Sequence, residues 1–303
     1  MIKRTWAMTS VVLAVGCSAG GASDGGTITT RQEPGTLQPG GTPSTGTPGV
    51  TPPTGGELFD PDEVEPTDEC DGIIPVVFRD FTQDHPDFEM DFSGDGVRLN
   101  LIAKTLGTDG KPVFASSLGC PARQGTQECR TDYNADRPVI TSATTFDQWY
   151  RDVGGTTNMK FDRELELVED QNTGLYKYTS SDFFPIGPME GFGITPKNGN
   201  PQGMNFLFTT EVHLQFKYTG SQKFTFRGDD DLWIFVNGQL ALDLGSMHNA
   251  EEGTIDFDAQ AAALNIVLGG SYSMDIFHAE RHTSASNFKI TTNIACFSPG
   301  VVK

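Results

Sequence analysis

The sequence predicts an all-β protein, an antiparallel, jelly-roll-like β-sandwich with few short helices. The chain has 303 residues, 35 of them glycine, and it is not enriched in helix formers, which is typical of a β-rich protein with many turns. Apolar and polar residues alternate with period two over Glu211 to Tyr218, as expected for a strand with two different faces. Leu232 to Val236 is an unbroken apolar run, which indicates a strand covered on both faces.

The other elements follow from similar local patterns. Asn237-Gly238 supplies the two positive-φ residues of a tight hairpin turn, so we expect Leu240 to Leu244 to return beside Leu232 to Val236. The remaining predicted elements are, in order, a short helix at Thr145 to Val153, a strand around Phe224 and Phe226, a helix or bent strand at Asp258 to Leu268, and a strand from Phe288 to Ile294.

The charge balance limits the classes of partner. The chain carries 21 Lys and Arg against 40 Asp and Glu, a formal charge of −19. A nucleic-acid partner is not expected, because phosphate binding requires clustered Lys and Arg. An acidic surface suits cations and neutral polar ligands such as sugars.

The first residues predict export. Lys3 and Arg4 precede a short apolar stretch from Ala7 to Val15, which is typical of a signal peptide over residues 1–16. Leu13 to Cys17 resembles a bacterial lipobox, in which Cys17 is acylated and becomes the mature N-terminus; simple secretion is the alternative. Ser18 after the cysteine favours, by the same resemblance, the outer membrane or cell surface as the location, with the acyl chains as a membrane anchor.

Residues 17–71 are predicted to be a disordered tether. Gly, Pro, Ser and Thr dominate Ser18 to Gly56, and acidic residues dominate Glu57 to Asp71. Such segments bury too little apolar area to offset the entropy of ordering. The folded domain is therefore expected to span residues 72–303.

Four cysteines follow Cys17, and an even number in an exported chain favours two disulfides with three possible pairings. Cys120 and Cys129 bracket a short loop, so we expect them to pair locally. Cys70 and Cys296 lie at the two ends of the folded part and would then close it.

Three adjacent carboxylates, Asp229 to Asp231, stand directly before the buried strand. Two charges about 4 Å apart repel by roughly 4 kcal/mol at an effective dielectric constant near 20. Ca²⁺, which takes six to eight oxygen ligands, would relieve this repulsion. A solvated turn whose Asp side chains cap backbone amides would relieve it too.

Long motifs along the chain resemble the fibro-slime family. The most specific are GDDDLWIFVNGQLALDLG, followed by His248, and YSMDIFHAERHTSASNFKITT. The others, in order, are RDFTQDHPDFE, DGKPVF, FDQWYRDV, FFPI and NFLFTTEVHLQFKY. Together these motifs span nearly all of Arg79 to Thr292. The family is related to the protective-antigen-type (PA14) β-sandwich, many members of which bind glycans at a cell surface.

The resemblance implies a calcium-dependent carbohydrate-binding or adhesion module rather than an enzyme. In the related lectins an Asp-Asp pair holds the metal and the metal holds sugar hydroxyls; the pair falls here on Asp229 and Asp230. Asp231, Asn237 and Asp243 are further candidate ligands. The implied partner is a polysaccharide or glycan. Ser246 stands where the family commonly has glycine, which is expected to alter the shape of the loop.

Two alternatives remain open. The chain could be a structural cell-surface or matrix protein in which the cation only stiffens a loop. It could also be a metal-dependent hydrolase, since His278, Glu280 and His282 would share one face of a strand and could bind zinc. Trp149 is a candidate for stacking on a sugar ring, whereas Trp233 is expected in the core.

Overall fold

The structure, a computed structural model, describes residues 27–30, 70, 72–90, 96–196, 200, 203–283 and 285–300. The predicted signal peptide, Cys17 and most of the predicted tether lie outside these residues. Three tether residues, Ile28–Thr30, form a strand instead of a disordered segment. The predicted tether over residues 17–71 stays a prediction.

Strands dominate the described part of the chain, as predicted. In chain order the strands are β1 (Ile28–Thr30), β2 (Ile73–Phe81), β3 (Arg98–Leu99), β4 (Cys120–Pro121), β5 (Asn158–Glu166), β6 (Val168–Asp170), β7 (Leu175–Ser180), β8 (Phe208–Lys217), β9 (Lys223–Gly228), β10 (Asp231–Val236), β11 (Gln239–Leu244), β12 (Glu251–Asp256), β13 (Ser271–Glu280), β14 (Phe288–Thr292) and β15 (Ser298–Pro299). The helices are α1 (Ala143–Phe146) and α2 (Phe257–Leu264).

Two antiparallel sheets form the sandwich. The large sheet has the strand order β1-β5-β2-β8-β13-β10-β11, with β15 also paired to β8. The small sheet has the order β12-β9-β14-β7-β6, and β3 and β4 form a separate two-stranded ribbon. Chain neighbours such as β9 and β10 lie in different sheets, so the chain crosses repeatedly between the two layers.

The main core lies between the sheets. Inward-facing residues of β10 and β13, such as Leu232, Ile234 and Ile276, meet Phe226 and Phe288 of the small sheet. Burying side chains of this size stabilises the fold by about 1.5–3 kcal/mol each.

A second core covers the outer face of the large sheet. Trp233, Phe235 and Phe277 point away from the small sheet and pack against Phe146 and Trp149, which belong to the long segment between β2 and β5. Strand β10 is therefore buried on both faces, which explains its unbroken apolar sequence. Trp233 is fully buried, so its predicted place in the core is confirmed.

The helices are shorter than the sequence predicts. Only Ala143–Phe146 is helical where Thr145 to Val153 was expected; Ser142 caps its N-terminus. The segment predicted as helix or bent strand forms α2, which Asp256 caps and which ends at Asn265 in the left-handed conformation. Left-handed residues at this position end helices because they turn the chain out of the helical path.

Both predicted disulfides are present. Cys70 pairs with Cys296 and Cys120 pairs with Cys129. The first closes almost the whole described domain, with a sequence separation of 226, whereas the second closes a loop with a separation of 9.

A buried ionic network joins the two layers of the second core. His213 lies between two carboxylates, with Nδ1 2.6 Å from Asp275 and Nε2 2.6 Å from Glu211. Glu211 also pairs with Arg79 at 2.6 Å and with Lys111. Burial alone would lower the pKa of His213, but the hydrogen bonds to Asp275 and Glu211 raise it above its ordinary value of 6.5.

Replacing His213 with Gln is expected to cost most stability at low pH. Because the pKa of His213 is raised in the folded state, protonated His213 stabilises the fold, and this contribution is fully present below pH 6.5. It is lost as the pH rises through the raised pKa. Urea unfolding of both proteins at several pH values between 5 and 9 measures this cost. His85→Gln is the control, and its pH dependence should be the reverse, because burial lowers the pKa of His85. The free energy of unfolding of the wild type should fall relative to that of His85→Gln as the pH falls. A cost of His213→Gln that does not change with pH would contradict a charged His213.

Candidate functional site

Three connections between the sheets meet at one end of the sandwich. They are the Asp229–Asp230 pair between β9 and β10, residues 245–250 between β11 and β12, and residues 281–287 between β13 and β14. They meet because β10 begins beside the ends of its two neighbours, β11 and β13.

A cavity of about 220 Å³ opens between these connections. Its walls come from all three of them: Asp229, Asp230, His248, Asn249, His282, Thr283 and Ala285. The structure therefore places the predicted Asp pair at a concave surface built from loops.

Asp229 is held by the connection that follows β13. Its Oδ1 accepts a hydrogen bond from the backbone N–H of Asn287, and its Oδ2 accepts one from the Asn287 side chain at 3.0 Å. Its backbone carbonyl accepts a hydrogen bond from His278 Nε2 at 2.8 Å. The peptide bond between Asp229 and Asp230 is cis.

Asp230 is held by two backbone amides. The N–H of His248 donates to Oδ1 at 3.3 Å and the N–H of Arg281 donates to Oδ2 at 3.0 Å. Burial raises the pKa of Asp230 well above its ordinary value; the Arg281 charge opposes this, and the Asp231 and Asp229 carboxylates add to it. Burial and the neighbouring carboxylates thus disfavour the charged form of Asp230.

Asp231 turns away from the cavity. Its Oδ2 lies 2.7 Å from Arg281 Nε in an ion pair whose two side chains are fully buried. Its Oδ1 accepts a hydrogen bond from the N–H of Ser246 at 2.6 Å. Ser246 has a φ of 84°, in the region that favours glycine. Asp231 therefore has a structural role in stabilising the turn, and the structure does not bring it to the cavity.

Glu280 is a third carboxylate near the pair. Its side chain is fully buried, and neither oxygen makes a hydrogen bond of normal geometry with a described residue. Burial raises the pKa of Glu280 well above its ordinary value, the Asp230 and Asp229 charges raise it further, and the nearby Ser286 side chain and His282 backbone oppose this. The sequence pattern indicated Glu280 only as a zinc ligand. The place of Glu280 at the end of the strand paired with β10 could have indicated its position beside the Asp pair.

The suggested zinc group is not assembled. Strand β13 ends at Glu280, so His282 belongs to the following connection. His278 points into the main core, where Nδ1 lies 3.1 Å from the hydroxyl of Thr210. Burial lowers the pKa of His278 to about 4 and so keeps its ring neutral.

Two other predicted ligands lie apart from the pair. Asn237 follows the far end of β10, about 20 Å from Asp231 at the usual rise per strand residue, and donates to the carbonyls of Leu264 and Asn265. Asp243 faces the second core, where it accepts hydrogen bonds from Trp233 Nε1 at 3.0 Å and from the N–H of Asn100 at 2.9 Å. The structure does not bring Asn237 or Asp243 to Asp229 and Asp230.

The donor set at the cavity suits a hard cation. Among the described residues, each of the four Asp229 and Asp230 carboxylate oxygens accepts one hydrogen bond, which leaves it capacity for a further partner. Oxygen ligands of this kind are those that Ca²⁺ prefers. Within the described ranges, no three His, Cys, Asp or Glu side chains form a ready metal-binding group. Further ligands for a cation at the pair would be backbone carbonyls, water and hydroxyls of a bound molecule.

Trp149 does not present a surface for sugar stacking. It is fully buried in the second core, and its Nε1 donates to Asp87 at 3.0 Å. The polar residues beside Trp149 in the sequence suggested exposure, but the structure buries its side chain, so this prediction is wrong.

No helix in the described segments has both the length and the apolar character needed to span a bilayer.

Comparison with known proteins identifies the domain. The sequence profile of the PA14 domain matches residues 169–298. Proteins psiC and psiD of Dictyostelium discoideum are 35% identical over 216 residues and 33% identical over 211 residues. Each match covers 69% of this chain and 38% of the relative, so the chain spans well under half the length of these relatives.

A solved structure, the PA14 sugar-binding domain from an RTX adhesin, matches with 15% identity and a TM-score of 0.21. This match covers 32% of the present chain and 52% of the adhesin domain. The narrower resemblance to fibro-slime proteins stays a prediction. The match to the PA14 domain family over residues 169–298 includes the Asp229–Asp230 pair and all three connections around the cavity.

Proposed function

We propose that the protein is a surface-exposed, calcium-dependent carbohydrate-binding or adhesion module. Asp229 and Asp230 would hold the cation, and the cation would hold sugar hydroxyls. The observation that carries this proposal is the pair of carboxylates at the cavity, each oxygen of which keeps a free lone pair. PA14 domains occur in sugar-binding and adhesion proteins, which supports the class of ligand.

The chemistry of this site is binding rather than bond cleavage. The cation would supply positive charge to sugar oxygens, while Asn249, His282 and Thr283 at the cavity wall would offer hydrogen-bonding groups to the rest of the ring. Glu280 would lie behind the carboxylate pair, where burial and the neighbouring carboxylates favour its protonated form. Acylation of Cys17 would place the module at a bacterial outer membrane or cell surface.

The double variant Asp229→Asn, Asp230→Asn is expected to lose both calcium and glycan binding. Calcium at about 100 times its dissociation constant should stabilise the wild type by about 2.7 kcal/mol, because it binds only the folded state, and should leave the variant unchanged. Calorimetry and thermal unfolding with and without a chelator measure the cation, and a glycan array under the same conditions measures the sugar.

The matched control is Asp136→Asn, Asp162→Asn, which removes two exposed carboxylates away from the cavity. It should keep both kinds of binding. Glycan binding that survives the chelator would contradict the metal-bridged mechanism. Calcium stabilisation without binding to any sugar would instead favour a structural surface protein in which the cation only stiffens the loops.

A further inference from the structure

A second and larger cavity lies beside the cation site. This cleft has a volume of about 960 Å³ and separates the loop closed by Cys120–Cys129 from strand β12. One wall consists of residues 122–127 and 130–132, the other of Glu251 to Thr254, and Val97 and Leu244 also line it.

The loop wall is fixed in place by several independent bonds. The disulfide closes it, and the N–H of Arg123 donates to the carbonyl of Glu128 at 2.8 Å. The side-chain amide of Gln127 bonds to both backbone groups of Asp243, with distances of 2.9 and 3.0 Å, and so ties the loop to the edge of the large sheet. A wall held this way needs little ordering when a ligand binds, which favours affinity.

The opposite wall is the edge strand of the small sheet. Strand β12 pairs on one side with β9, and its other side faces the cleft. A side chain at Gly253 would meet Leu242 at 2.5 Å, so glycine allows β11 and β12 to approach this closely. The cleft is therefore a feature of the packed sandwich edge rather than of a mobile surface loop.

The two walls offer opposite hydrogen-bonding groups. The loop wall presents Arg123 and Gln124, together with Arg130 in an ion pair with Asp132, and the strand wall presents the acceptors Glu251 and Glu252. Neither Arg123 nor Glu251 makes a side-chain hydrogen bond or ion pair with another described residue. Both groups are thus available to a ligand.

Residues 244–251 separate the cleft from the cation site and line both. Leu244 lines the cleft, and its carbonyl lies 3.1 Å from Nε2 of His248, which lines the cation site. Asn249 lines the cation site and Glu251, only two residues later, lines the cleft. Two residues span at most about 7 Å of chain, so the two cavities lie close together along this segment.

We propose that the cleft binds the continuation of a neutral polysaccharide whose first sugar is held at Asp229 and Asp230. Sugar hydroxyls both donate and accept hydrogen bonds, so a neutral sugar chain can satisfy both walls at once. An anionic polymer would be repelled by Glu251 and Glu252, and a basic peptide by Arg123. The inference rests on the proposed function and adds to it the ligand class, a chain of several neutral sugar units.

The test uses the full chain in calcium, with an array of neutral glucose, mannose and galactose oligosaccharides from one to six units. Matched acidic hexasaccharides built from uronic acids are included. The best neutral hexasaccharide should bind at least about tenfold tighter than its monosaccharide. One added hydrogen bond between a sugar hydroxyl and a charged side chain of the cleft is enough for this gain. Arg123→Ala and Glu251→Ala should each remove most of this gain and leave monosaccharide binding unchanged. Arg137→Ala, an exposed arginine that does not line the cleft, is the control.

The outcomes separate the two proposals. Monosaccharide binding with no gain in length, or with a gain that both cleft variants retain, overturns the cleft and leaves the proposed function standing. Tighter binding of the acidic hexasaccharides overturns the neutral class. No binding of any sugar overturns the proposed function and the cleft with it.

Discussion

Replacing Arg281 with Met is expected to destabilise the fold by about 3–5 kcal/mol, because it leaves the buried carboxylate of Asp231 without a partner. The guanidinium also donates to the backbone carbonyls of Asp87 and Val139 at 2.8 and 2.9 Å and lies 4.7 Å from the ring centroid of Trp149. It thus joins the turn before β10 to the segment that covers the large sheet. Urea unfolding at pH 7 measures the loss.

Two further variants make this prediction specific. Arg137→Met removes an exposed arginine and should change stability by less than about 0.5 kcal/mol. The double variant Arg281→Met, Asp231→Leu should recover much of the loss, because it removes the unpaired charge as well. If the double variant is as unstable as Arg281→Met alone, the cost comes from lost packing and not from the ion pair.

Removing the Cys70–Cys296 disulfide by Ala substitutions is expected to lower the free energy of unfolding by about 5 kcal/mol. The chain-entropy argument gives this value for a loop of 226 residues and about 2.6 kcal/mol for the Cys120–Cys129 loop, with a separation of 9. The long crosslink restricts the unfolded chain far more than the short one does. Urea unfolding of the two double variants under non-reducing conditions compares them directly.

The short disulfide is the internal control for the long one. Its removal should cost about half as much stability, yet it should weaken hexasaccharide binding, because this disulfide closes a wall of the cleft. Equal losses of stability from the two double variants would contradict the chain-entropy explanation.

The periodic patterns predicted the sandwich because the order of apolar and polar residues in each strand shows which of its two faces is buried. The run from Leu232 to Val236 indicated burial on both sides, and the structure supplies the second core that covers it. Asn237 and Gly238 adopt positive φ values of 51° and 69°, as the predicted hairpin turn requires. Such features depend on a few neighbouring residues and can be read locally.

The candidate site could be predicted only in part, because it depends on which connections meet. The Asp229–Asp230 pair was visible as a cluster of charge, but the roles within the triplet depend on Arg281, fifty residues later. Trp149 stands among polar residues whose partners lie far away in sequence, so its burial could not be read locally. Glu280 and the cleft beside β12 likewise arise from the packing of distant segments.

Main-chain amides hold much of the carboxylate triplet: the N–H groups of Ser246, His248, Arg281 and Asn287 all donate to it. Every residue except proline carries such a donor. Apart from Arg281 and Asn287, whose side chains also bind the triplet, side chains on the connecting segments can therefore be exchanged while the acidic centre keeps its geometry. Selection or design could re-target the recognition surface at this end of the molecule without rebuilding the scaffold beneath it.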